Sequence, residues 1–116
     1  MNRKQVRITY VPTGELIAEG PVGWGITPFE GAWYISKRYL HAEGFRYTPL
    51  PGFCPYKFLY LWLDFRGTTG EVSRYIGWKY VVPNPLLPFI VFRVAVPTDH
   101  PDLDVRVREH GLRFEV

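Results

Sequence analysis

The sequence predicts an all-β fold, mostly antiparallel: a small sandwich or partly open barrel of seven or eight short strands with at most one short helix. Three observations carry that prediction. Eleven prolines and eleven glycines are spread along 116 residues and leave few windows long enough for a helix. The stretches between them are rich in Val, Ile, Tyr, Phe and Trp, which suit a pleated, half-buried surface. Crossover helices, which parallel strands require, are missing from the pattern.

The strands follow in order. Gln5 to Val11 alternates, with Val6, Ile8 and Tyr10 on one face, and Pro12-Thr13-Gly14 turns the chain into Glu15-Leu16-Ile17-Ala18, which makes an opening hairpin. Glycines 20, 23, 25 and 31, with Pro21 and Pro28, predict a long irregular segment that leads to a short strand, Ala32-Trp33-Tyr34-Ile35. Ser36 is placed to cap one helical turn over Lys37 to His41, ended by Gly44. From Lys57 to Arg66, Leu59, Leu61, Leu63 and Phe65 share a core face, while Tyr60, Trp62, Asp64 and Arg66 share the other. Gly67-Thr68-Thr69-Gly70 then acts as a four-residue loop that sets Arg66 opposite Glu71, Trp62 opposite Tyr75, Tyr60 opposite Gly77 and Phe58 opposite Lys79. Phe89 to Val96 is apolar on both faces apart from Arg93 and reads as a central strand covered twice. Val105 and Val107, a turn at His110-Gly111, and Leu112, Phe114 and Val116 predict a closing hairpin.

Length and composition bound the classes. The 116 residues support a single domain, 1–116, and 47% apolar with 17% aromatic residues excludes a disordered chain. No apolar run reaches the roughly 20 residues that span a bilayer, so no membrane partner is expected. Met1-Asn2-Arg3-Lys4 is followed by alternation rather than an apolar signal core, and with one cysteine this predicts a cytoplasmic protein. The charge of +3 comes from interspersed residues without a basic block, and Arg106, Arg108 and Arg113 alternate with Asp104, Glu109 and Glu115; nucleic acid is not an expected partner.

Four landmarks follow one another along the chain: Leu16-Ile17-Ala18, Trp33-Tyr34-Ile35, Cys54-Pro55-Tyr56-Lys57 with Tyr60 and Trp62, and Gly77-Trp78-Lys79-Tyr80 before Pro83. Phe89-Ile90-Val91-Phe92 and Leu103-Asp104-Val105 complete the order. In these the chain resembles a bacterial domain family of unknown function, catalogued as nucleotidyltransferase-like, that carries a Cys-Pro-Tyr-Lys motif. The resemblance implies a small all-β fold with a shared pocket and transfers no catalytic residue. One departure stands out: the family usually has glycine directly after the lysine, and this chain has Phe58.

The candidate site gathers at that motif. Cys54, Lys57, Tyr60, Trp62 and Lys79 are the candidate ligand-binding residues, two lysines to hold a small anion and two rings to lie against a planar group. The alternative for the lysines is shielding of an exposed strand. A second reading is an enzyme that uses Cys54 or Lys57 covalently. A third is an interaction module or homodimer built on exposed Trp24, Phe29, Tyr39 or Phe45. No cofactor is expected, and His41, His100 and His110 are scattered relative to the one cysteine, so no metal is expected either. Arg93 needs a partner in its apolar strand, for which Asp64 or Glu30 is suited, and Gly77 is read as a packing position beneath Tyr60.

Overall fold

The computed structural model describes residues 3–55, 57–91 and 93–110. Nine strands form among them: β1 (Arg3–Tyr10), β2 (Glu15–Pro21), β3 (Ile26–Phe29), β4 (Ala32–Ile35), β5 (Phe45–Cys54), β6 (Phe58–Arg66), β7 (Val72–Pro83), β8 (Val94–Pro97) and β9 (Leu103–His110). They pair antiparallel in two sheets, three strands in the order β2-β1-β9 and six in the order β3-β4-β8-β7-β6-β5. The helical content among these residues is two 3-10 turns, Lys37–Tyr39 and Pro88–Ile90.

The two sheets face each other over one core. Val6, Ile8 and Tyr10 of β1 are fully buried, as their alternation predicts, and they meet Ile35, Leu63, Phe65, Ile76 and Val96 from the larger sheet. Burying a side chain of Phe65's size stabilises the fold by roughly 2–3 kcal/mol. The tilted Tyr10–Phe65 pair, centroids 4.5 Å apart, closes the core at one end. There the Tyr10 hydroxyl is 2.7 Å from Ser73 Oγ, which donates to the Asp102 carboxylate and ties both sheets to the β8–β9 loop.

The larger sheet is covered on its other face as well. Tyr34 of β4, Ala95 of β8 and Tyr80 of β7 turn away from the first core into a second cluster with Ile90 and Phe89. Every residue of β4 is therefore buried.

Several sequence expectations need correction. The strand expected over Phe89 to Val96 starts only at Val94, because Pro88 opens a 3-10 turn through Ile90 that folds over the sheet; β8 itself is central and buried on both faces, as expected. The glycine-rich stretch after Ala18 is more regular than expected, since β2 runs to Pro21 and β3 forms at Ile26–Phe29. Ser36 caps its turn through its backbone carbonyl, which accepts from Tyr39 N–H, and not through its hydroxyl. The closing strand expected over Leu112, Phe114 and Val116 lies outside the described residues.

The β6–β7 register also differs. Arg66 pairs with Val72 rather than Glu71, and Gly67 N–H donates to the Glu71 carbonyl, so the loop holds five residues. Beyond it, Phe65 pairs with Ser73 and Leu63 with Gly77, which leaves Arg74, Tyr75 and Ile76 opposite the single Asp64. This bulge is stabilised by Asp64, whose Oδ1 accepts from Tyr75 N–H at 2.9 Å. The slip sets Tyr60 opposite Tyr80, Trp62 opposite Trp78 and Leu61 opposite Lys79.

Candidate functional site

The corrected register builds an aromatic cleft on the outer face of the larger sheet. Opposed residues of an antiparallel pair share a face, so Tyr60 and Trp62 of β6 stand beside Tyr80 and Trp78 of β7. Through the pairings Trp78–Ala95 and Tyr34–Ala95, Tyr34 of β4 joins the same face. Ring centroids lie 5.1 Å apart for Tyr60–Tyr80, 5.7 Å for Tyr60–Trp62 and 5.6 Å for Trp62–Trp78, all tilted or edge-on.

Two turns complete the cleft. Phe29 pairs with Ala32, so Glu30-Gly31 is a two-residue hairpin loop with φ of 53° and 80°, the pattern of a type I′ turn. Across from it, Cys54 pairs with Phe58 and the loop between them delivers Lys57. Lys57 is only 7% exposed; its ammonium is ion-paired with the Glu30 carboxylate and lies 5.1 Å from the Phe29 ring centroid. Phe58, which follows, has φ 78° in the left-handed region that favours glycine. Together Glu30, Tyr34, Cys54, Lys57, Tyr60, Trp62, Trp78 and Tyr80 enclose a cavity of about 250 Å³.

The electrostatics set protonation states. Burial works against the Lys57 cation, but the hydrogen bond and charge of Glu30 outweigh it, and the pKa lies above the usual lysine value. Lys57 is thus held as an ammonium, which cannot act as a nucleophilic amine at neutral pH. Burial also raises the pKa of Tyr34 and of Tyr80, so both remain phenols.

Of the five candidate residues, Cys54, Lys57, Tyr60 and Trp62 line this cavity, and Lys79 does not. Lys79 alternates with Trp78 and Tyr80 onto the opposite face, in register with Leu61 and Val94, where its ammonium lies 5.8 Å from the Tyr47 ring centroid. The two lysines therefore do not form a joint anion site. Glu30, Tyr34, Trp78 and Tyr80 were not among the sequence candidates. The signal for Glu30 was its place before Gly31 between two apolar runs; Trp78 and Tyr80 were hidden by the bulge, which moves them onto the face of Tyr60.

Other expectations fall differently. Arg93 is paired with neither Asp64 nor Glu30: its Nη1 donates to Thr27 Oγ1 at 3.2 Å and its guanidinium lies 5.3 Å from the Trp24 ring centroid. The glycine beneath Tyr60 is Gly52, not Gly77; a Cβ on Gly52 would fall 2.1 Å from the Tyr60 ring, whereas one on Gly77 would meet the Ala95 carbonyl oxygen at 2.6 Å. Of the four aromatics expected to be exposed, Trp24 is, at 66%. Phe29 packs on Phe89, Phe45 on Phe65, and Tyr39 covers Gly20 and Gly25. Among the described residues, no helix is long and apolar enough to cross a membrane. No protein-family model and no curated protein matches the chain.

Proposed function

We propose that the domain binds a small, flat, uncharged ring in the cleft between Tyr60, Trp62 and Trp78. The observation that carries this reading is the convergence of five Tyr and Trp rings on one cavity whose cation is already matched by a carboxylate. Such a site gains from desolvating and contacting an apolar ring face, while Glu30, half exposed, offers an acceptor at its edge. An anion would have to compete with Glu30 for Lys57, and Lys79 stands on the other face. Of the planar and anionic ligands that the sequence suggested, the planar one is therefore favoured.

The likeness to the Cys-Pro-Tyr-Lys family belongs to this proposal too. It is supported by Phe58, whose φ of 78° is one that glycine, the family's usual residue there, adopts without strain.

Titration of the intrinsic tryptophan fluorescence tests the reading, with flat heterocycles, nucleosides and monosaccharides in one arm and inorganic phosphate and sulfate in the other. A saturable change with members of the first arm, lost in Trp62→Ala, is expected. Equal responses to phosphate, or silence across both arms, would overturn it.

A further inference from the structure

A second cavity, of about 350 Å³, opens on the same sheet and is lined by Tyr47, Thr48, Leu50, Asp64, Arg74 and Tyr75 among others. Trp62 stands between the two: it lines the first, and its ring meets Tyr75 edge-on with centroids 6.4 Å apart. Tyr75 is held there by the bulge, at φ 57°, with its N–H bound to Asp64. A bulky residue in the left-handed region costs on the order of 1 kcal/mol and persists where the surrounding structure imposes it. Here the bulge presents a ring to Trp62.

The two cavities repeat one chemistry. Each holds an acid–base pair beside aromatic rings, Lys57 with Glu30 in the first and Arg74 with Asp64, at 3.5 Å, in the second. Charge balances within each pair, so neither cavity calls for a net ion. The carboxylates accept hydrogen bonds and the cations donate them. A hydroxyl, which does both, can engage either half of such a pair, whereas a fully ionised phosphate only accepts and would be repelled by Glu30 or Asp64. Rings that carry many hydroxyls around apolar C–H faces are sugars.

We propose that the two cavities form one trough for a neutral oligosaccharide, with one sugar ring in the cleft, the next beside Tyr75, and Trp62 in contact with both. This rests on the ring-binding reading above and extends it to a chain of rings.

Calorimetric titration of the full chain with neutral gluco-, xylo-, manno- and chito-oligosaccharides of one to four units tests it. In at least one series the tetramer should bind about tenfold or more tighter than the monomer. Tyr75→Ala should bring the tetramer down to the affinity that the same variant shows for the monomer, and Trp62→Ala should remove both. Leu50→Ala, which trims an exposed wall of the second cavity, serves as the second variant and should also reduce the gain with length. If single rings bind and no series gains with length, the trough is wrong and the cleft reading stands. If sugars are silent while nucleosides bind, the oligosaccharide proposal fails on its own. If nothing binds, both fail together.

Discussion

Lys57 is tolerated in a buried position because Glu30 and the Phe29 ring replace the water it gives up. Glu30→Gln leaves that cation inside without its counter-charge and should cost about 1–2 kcal/mol in urea unfolding. Lys57→Met should cost less, since the carboxylate it orphans is 46% exposed at its side chain and can be hydrated. The reverse order would show that the pair is held from the Glu30 side. At Phe58 the backbone angle inverts an ordinary rule. In a strand alanine normally outperforms glycine, but at φ 78° Phe58→Gly should be more stable than Phe58→Ala by about 1 kcal/mol, measured in the same denaturant titration. At this scale much was legible: the strand period places Tyr60 and Trp62 on one face, and Cys54 and Lys57, three apart in the sequence, reach the same cavity. The pairing of Lys57 with Glu30 was not, because 27 residues separate them and only the β3–β4 hairpin, docked in the sheet, brings them together.

Elements were read well where alternation was strict and poorly where the ladder is irregular. β1 and the core half of β6 followed the period of two, and Val6, Ile8, Leu63 and Phe65 are buried as it requires. The β6–β7 register failed because nothing in the sequence announces a bulge. Tyr75 is not a glycine, and its left-handed φ depends on Asp64 from the neighbouring strand. One slipped pairing then moved Lys79 into the site and Trp78 out of it. Two element-level substitutions check the account. Gly77→Ala should destabilise by about 1–3 kcal/mol in thermal or urea unfolding, because its Cβ meets a backbone carbonyl of β8 that cannot give way without breaking the β7–β8 pairing. Ser73→Ala removes the hydroxyl between Tyr10 and Asp102 and should cost about 1–3 kcal/mol, with little recovered by Tyr10→Phe alone, since the Asp102 carboxylate still lacks its donor.

The whole molecule is an unequal sandwich, three strands against six, and that inequality makes the site. The small sheet covers one face of the large one, while on the other face the Pro88–Ile90 turn covers only part and leaves the ring-lined cleft beside it. The fold class was readable from composition and turn residues, because β-branched and aromatic runs between prolines and glycines allow little else. Which face stays open was not, since both carry aromatic residues. The same packing sets the response to alkali. Tyr34, Lys57 and Tyr80 all have folded pKa values above their ordinary ones, so the folded state holds these protons more tightly than the unfolded chain does. Their contribution is fully present below about pH 10, where unfolded tyrosine and lysine begin to titrate, and is lost as the pH rises through the higher folded values. Stability measured by urea unfolding should therefore fall steeply above about pH 10, and Tyr80→Phe should flatten that fall.

The open aromatic cleft is the ring site we propose. It is tested most directly by the indole N–H resonances of the four tryptophans, read by nitrogen–proton NMR as the ring-ligand panel is added. Trp62 and Trp78, which line the cleft, should shift together and saturate, while Trp33, buried in the core between the sheets, stays in place. Indoles that all remain still, or a shift confined to exposed Trp24, would contradict the account.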